Sequence, residues 1–298
     1  LRIFKGGVAF LLVLIGVITP LFSEDTSSER ISFSSFVDWE ADNLVIDVSY
    51  KMPVKEFPFP RAKAIALNGV ETAISGIFLR VVMSIRADSY YSVGDLARKD
   101  RDVLDGLISL SLSGKIDSSY ISEDMDVFHA RYIFPLYGQG GIVNVFYLPK
   151  NPYPVNNYLG FEPTRDFTGY VIYAKGEMPS HGKQGEYVVN PAIFIRIFDE
   201  DMNVVLEREM CYSSYVKKWG MVAYTDSTDE DPYRERIGDF PLRIKARGIF
   251  GKNSTDIIIP NEAARKILVS SKNIKTMREG RILLIIDRDR ISEKLNTR

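Results

Sequence analysis

Hydrophobic and polar positions alternate in two different periods along this chain, and the change of period outlines its architecture. From Arg61 to about Arg86, Leu67, Val70, Ile74, Ile77, Val81 and Ile85 recur at spacings of three and four, with Phe78 and Val82 widening the stripe. That spacing predicts a long helix laid across a sheet. A coiled-coil seam would persist over several heptads with flanking charges, which this segment lacks. A second helix is predicted over Arg101–Leu112, capped by Asp100 and stopped by Gly114.

Period two dominates elsewhere. Phe36–Tyr50 predicts a first strand region, with Leu44, Ile46, Val48 and Tyr50 on one face. Met125–Leu136 alternates Phe128, Ala130, Tyr132 and Phe134 against Val127, His129, Arg131 and Ile133. Gly138-Gln139-Gly140-Gly141 then predicts a turn, with Ile142–Leu148 returning as the partner strand. These glycines join strands and precede no Gly-Lys-Ser/Thr, so they do not form a phosphate loop.

The stretch Phe167–Leu206 predicts strand, loop, strand, tight turn, strand. Ile193, Ile195 and Ile197 alternate with Phe194, Arg196 and Phe198, as in a central strand, and Asp199–Asn203 supplies the turn. Leu242–Phe250 predicts a strand with Leu242, Ile244, Ala246 and Phe250 inward. Asn261 is expected to cap a short helix from Glu262 to about Ser270, and Arg281–Asp287 a buried strand.

The fold class expected is therefore α+β in two domains. A small antiparallel sheet with helices on one face (36–148) is followed by a β-rich domain with one short helix (164–287). The Pro- and Asn-dense run 149–163 is the expected linker, 24–35 a flexible lead-in, and 288–298 a charged tail.

Composition sets the address more than the chemistry. Arg2 and Lys5, the apolar run Val8–Ile18, and Pro20–Ser23 have the layout of a secretory signal peptide over 1–23, with cleavage after Ser23. An uncleaved N-terminal anchor is the alternative. The run is shorter than the roughly 20 apolar residues of a bilayer span, so no membrane span is expected in the mature chain. At 298 residues, 45% hydrophobic and 26% charged, the protein has globular composition. A net charge of −1 gives no electrostatic footprint for nucleic acid.

Candidate chemistry is sparse. The only histidines are His129, mid-strand, and His181, in a polar loop; neither has a Gly-x-Ser-x-Gly nucleophile elsewhere in the chain. With the single cysteine, Cys211, they show no zinc-ligand spacing, and no disulfide can form within the chain. Asp199–Asn203 lacks the glycine and the distal glutamate of a calcium loop. Asp226–Asp231 is acidic and is expected to be solvated. No catalytic residue, metal or cofactor is expected. The row Arg243, Lys245, Arg247 is expected either to discourage edge pairing or to form a partner surface.

The succession of signal peptide, strand, long helix, second helix and two-stranded return up to Leu148 resembles the small outer-membrane lipoprotein domain shared with FlgP-like flagellar proteins of diderm bacteria. Phe167–Gly176, Pro191-Ala192 to Asp201, Asp256–Leu268 and Arg281–Asp287 are similar to the segment that follows that domain in exported relatives. The lipidated cysteine is absent, and Met202-Asn203 stands where a turn glycine is expected.

The resemblance implies a non-enzymatic structural or assembly protein of the periplasm or outer-membrane periphery, in contact with envelope proteins or with copies of itself. Two other readings remain: a module binding a ligand, lipid or peptidoglycan between its domains, and a hydrolase using an acidic pair.

Overall fold

The computed structural model describes residues 30–155 and 157–295. The expected signal peptide, the start of the lead-in and the final three residues of the tail lie outside them. The first domain runs β1 (Ile31–Asp38), β2 (Asn43–Lys51), α1 (Phe59–Val82), α2 (Val93–Lys99), α3 (Arg101–Ser111), β3 (Ile116–Ile121) and β4 (Val127–Pro135). The second contains β5 (Tyr170–Tyr173), β6 (Met178–Pro179), β7 (Glu186–Tyr187), β8 (Ile197–Phe198), β9 (Val204–Leu206), α4 (Ser213–Trp219) and β10 (Ala223–Thr225). It continues with α5 (Arg234–Ile237), β11 (Leu242–Lys245), β12 (Gly248–Phe250), β13 (Asp256–Ile258), α6 (Asn261–Leu268), α7 (Ser271–Arg278), β14 (Ile282–Ile285), α8 (Arg288–Ile291) and β15 (Ser292–Lys294).

The first domain is an antiparallel sheet in the order β15-β1-β2-β4-β3. Leu44, Ile46 and Val48 of β2 and Phe128, Tyr132 and Phe134 of β4 are buried on one face, as period two requires. Helix α1 lays Val70, Ile74, Ile77, Phe78 and Val81 onto that face, and the Phe78 and Phe134 rings stand 4.3 Å apart. By length and composition α1 could span a bilayer; its apolar stripe is instead packed into this core. Pro58 and Pro60 start α1, where a missing N–H costs nothing.

The partner of β4 is not the run after the glycines. Ile142–Val145 is a 3-10 turn, and β4 pairs with β2 and with β3. β3 escapes a hydrophobic-pattern search because it is a polar edge strand, Ile116-Asp-Ser-Ser-Tyr-Ile121. Nor is 31–35 a lead-in: Ile31–Ser35 pairs with Ile46–Tyr50 in β1.

The second domain holds a parallel sheet, β10-β14-β5-β11, beside a mixed sheet, β12-β13-β8-β9. Strand β14 is buried on both faces, as its unbroken Ile-Leu-Leu-Ile run demands. The predicted strand Leu242–Phe250 is two strands in different sheets. β11 pairs with β5, and β12 pairs with β13 after the chain turns at Ala246-Arg247.

Only Ile197–Phe198 of the predicted 193–198 strand is ladder-paired; Ile193 N and Phe194 N donate instead to Arg86 O and Ala87 O of the first domain. Four α-helices stand within 164–287 where one was expected, because α4, α5 and α7 are short and mostly polar in sequence. Residues 149–163 carry no helix or strand among the described residues.

Two features join the domains. The segment expected as a charged tail forms α8 and then β15, which pairs with β1 through Phe36–Lys294, Val37–Glu293 and Asp38–Ser292. The polar sequence hid this, since among the described residues of the segment Ile291 and Leu295 are the only buried hydrophobic side chains. Secondly, one continuous hydrophobic core runs from Val37 and Phe78 to Ile257 and Leu284.

Candidate functional site

The loop between α1 and α2 crosses from the first domain onto the second, and a cleft of about 210 Å³ opens where it lands. Asp88, Ser89, Tyr90 and Tyr91 form one wall; Phe194–Arg196 and Glu207–Glu209 form the other, with Asp256 between them. Clefts at domain junctions are the commonest places for binding sites.

Local chemistry fixes each wall. Asp88 accepts from Tyr90 N (2.8 Å) and Tyr91 N (2.9 Å), an Asx turn that presents both rings outward. Ser92 then opens α2 with a capping box to Asp95. The Asp256 side chain, 1% exposed, accepts from Ser89 Oγ (2.7 Å), from Arg196 N (3.0 Å), and from Arg196 Nε (3.0 Å) and Nη2 (2.8 Å).

Burial pushes the Asp256 carboxyl above the ordinary carboxylate value, opposed by Ser89 and Arg196. Arg196 also donates to Ser89 Oγ (3.0 Å), so one ion pair pins both domains. Its guanidinium lies 5.2 Å from the Phe198 ring and 5.6 Å from that of Tyr90.

On the opposite wall Arg208 donates to Glu209 through Nε (2.8 Å) and Nη2 (2.6 Å) and rests 5.0 Å from the Phe194 ring. Glu207 precedes this pair, directly after edge strand β9. Burial first, and the Glu209 charge second, raise its carboxyl above the ordinary range, with the Arg196 and Arg208 guanidiniums opposing.

A second polar cluster lies between the domains, away from the cleft. Asp42, at the β1–β2 turn, has φ +56° and a buried Oδ1 with no hydrogen-bond partner. Desolvation raises its carboxyl to about 7, with Arg236 opposing and Asp38 reinforcing the shift. Arg236, 7% exposed, donates to Gly280 O (2.8 Å), Trp219 O (2.6 Å) and Gly220 O (2.9 Å), collecting carbonyls at the end of α4 and shortly after α7. Burial pushes it down to about 10.

The residues singled out in the sequence do not converge here. Arg243, on edge strand β11, is bidentate on Glu230 (2.8 and 2.7 Å). Lys245 is exposed, and Arg247 reaches Glu200 at 3.7 Å from beyond the strand end. The acidic loop 226–231 is met by cations as well: Arg288 approaches Asp226, and Lys175 donates to the Asp226 carbonyl.

His129 lies on the open sheet face, 2.9 Å from Ser49 Oγ through Nδ1 and stacked on Tyr120 at 4.5 Å. His181 faces the Phe250 ring at 6.1 Å. Cys211 is buried, and burial lifts its thiol to about 12. Among the described residues no three His, Cys, Asp or Glu side chains converge as metal ligands.

The turn Asp199–Asn203 holds Met202, not Asn203, at positive φ (+63°). Asp199 Oδ1 accepts from the Asp201 and Asn203 amides (3.0 and 2.7 Å). Pro260 occupies the cap position of α6, and Asn261 bonds this turn instead, accepting from Glu200 N (2.9 Å).

Sequence reading missed the cleft because its walls are assembled from positions as far apart as Ser89 and Asp256. The one legible trace is Tyr90-Tyr91 behind an Asp, an aromatic pair in a turn. The search of curated proteins finds no match for the chain. Family models do match: the one described as Treponema pallidum Tp0624, N-terminal domain, over residues 30–139, and the one described as Treponema pallidum Tp0624, second domain, over residues 169–288. Neither description names a flagellar protein or a lipoprotein. Each match covers one of the two domains, and the two follow the same order along the chain.

Proposed function

We propose that this chain is a non-enzymatic, exported cell-envelope protein with a structural or assembly role, acting through contact surfaces on a rigid two-domain body. The observation that carries this reading is Tyr158-Leu159-Gly160-Phe161 in the linker, where Leu159 is 97% and Phe161 89% exposed. Two large apolar side chains held in water on one short loop are typical of a protein contact. The loop is tethered, not free: Tyr158 N donates to Leu268 O (3.1 Å) and Arg265 Nε to Glu162 (3.0 Å).

The contacts that join the two domains support the same reading. β15 and the Asp256–Arg196–Ser89 pin hold the domains together, as a spacer or scaffold requires. His129 has a serine neighbour but sits on an open sheet, and among the described residues no carboxylate hydrogen-bonds its ring. That arrangement lacks the oriented base of a hydrolase. A flagellar or outer-membrane assembly remains the implication of the sequence resemblance, and Lys245 with its neighbours Arg243 and Arg247 offers a second contact surface.

Fractionation of cells expressing the wild-type chain and a Leu159→Ser/Phe161→Ser variant tests the proposal. The wild type is expected in the envelope fraction, processed after Ser23 and within a larger complex by light scattering. The variant is expected to leave the complex while staying folded. A chain that stays in the cytoplasm with residues 1–23 intact overturns the reading.

The runner-up, a binding module, is favoured by the interdomain cleft.

A further inference from the structure

Among the described residues, the cleft between Asp88–Tyr91 and Phe194–Glu209 holds one carboxylate that neither pairs with a cation nor caps a backbone amide. Asp256 is held by Arg196, Glu209 by Arg208, and Asp88 by two backbone amides. Glu207 has neither a salt bridge nor a side-chain hydrogen bond, although it lines the cleft and is half-buried. Four carboxylates against two guanidiniums and the Lys99 ammonium at the mouth still leave the cleft with one excess negative charge. Both guanidiniums are already engaged, so an incoming anion would have to displace a carboxylate.

The rings add to the case for a cation. Tyr90 and Tyr91 remain 45% and 40% exposed at the mouth. Aromatic faces attract cations, and the protein's own Lys99 Nζ already lies 3.5 Å from the Tyr91 centroid. At about 210 Å³ the cleft falls below the roughly 300 Å³ where small-molecule pockets begin. It has room for the end of one long side chain.

We propose that the cleft receives a single basic side chain, arginine or lysine, from a partner polypeptide, with Glu207 as its counter-ion and Tyr90 and Tyr91 as its walls. A carboxylate that has lost part of its hydration recovers it in a charge-assisted hydrogen bond to the incoming cation. Burial keeps the Glu207 carboxyl raised although the Arg196 and Arg208 charges oppose it, so a cation in direct contact would still find a partly desolvated acceptor. This inference rests on the reading of the chain as a partner-contacting protein and gives that partner a chemistry.

The test is a titration of the full chain, followed by two-dimensional amide NMR, with a blocked Gly-Arg-Gly tripeptide and its uncharged citrulline counterpart. The arginine peptide is expected to shift the Tyr90, Tyr91 and Glu207 amides saturably, and the citrulline peptide to bind at least about tenfold more weakly. Glu207→Gln should weaken arginine-peptide binding by a similar factor, while Glu123→Gln, an exposed change elsewhere, leaves it unaltered. Glu207 makes no side-chain hydrogen bond, so the variant retains the fold. Equal binding of the two peptides, shifts confined to other surfaces, or an unchanged Glu207→Gln affinity would overturn the proposal. Any of these would leave the assembly role standing, because cell fractionation judges that separately.

Discussion

Arg86 and Glu293, 207 positions apart, meet in a bidentate ion pair at 2.6 and 2.5 Å. Arg86 also donates through Nε to Pro191 O (3.0 Å), so one side chain reaches from the α1–α2 loop to both the second domain and β15. Each partner keeps about a quarter of its side-chain exposure, 22% and 24%, which limits what the pair contributes. Glu293→Ala is expected to destabilise the chain by about 1–2 kcal/mol in urea unfolding. Amide exchange at Leu295, whose N–H donates to Ser35 O, should accelerate in the same variant.

Asp256→Ala removes the acceptor of Ser89 and Arg196 together, and leaves a guanidinium packed among aromatic rings without its counter-charge. Breaking such a pair is expected to cost about 2–4 kcal/mol, somewhat less than a fully buried case because Arg196 is 31% exposed. Denaturant titration of this variant, monitored separately by probes in each domain, should show the two transitions moving apart.

Asp42 gives stability a pH dependence of definite sign. Its carboxyl is raised from 3.8 in the unfolded chain to about 7 in the fold. Between those values the folded state keeps a proton that the unfolded chain has lost, so this group's contribution falls as pH rises through the window. Asn tolerates the left-handed backbone at this position and never ionises. Asp42→Asn is therefore expected to stabilise the protein by about 1–3 kcal/mol at pH 8 and by little at pH 4, which thermal unfolding at the two pH values would read.

Two glycines predict opposite outcomes for the same substitution. A Cβ at Gly169 would stand 2.5 Å from the Ile237 backbone, where Thr168 Oγ1 already donates to Ile237 O (2.7 Å). Gly169→Ala should cost about 2–3 kcal/mol. Gly76, inside α1, has nothing within 4 Å of an added Cβ, so Gly76→Ala should stabilise by about 0.5–1 kcal/mol. Chemical denaturation of both variants checks the pair.

Periodicity made some elements legible and hid others for identifiable reasons. Helix α1 and strand β14 are declared by side chains that must be buried, one on a stripe and one on both faces. The 193–198 run is equally apolar, yet most of it is irregular backbone bonded to Arg86 and Ala87. Burial alone does not distinguish a strand from a packed loop. β3 and β15 escaped because edge strands need few inward side chains. The cleft escaped because no local pattern announces that Asp256 accepts from Ser89 or that Glu207 lacks a cation. Arg243 stood out as a basic row in sequence, and the fold spends its charge on Glu230.

Strand β1 has the Phe36–Asp38 part of its outer edge covered by residues 292–294. During synthesis that edge stays open while some 250 further residues are made, which follows from subtracting position 38 from position 292. A free edge is a template for pairing with other chains. Until β15 arrives, Phe36–Asp38 offers unpaired backbone groups to other chains, and shielding of that stretch protects the nascent chain through this interval.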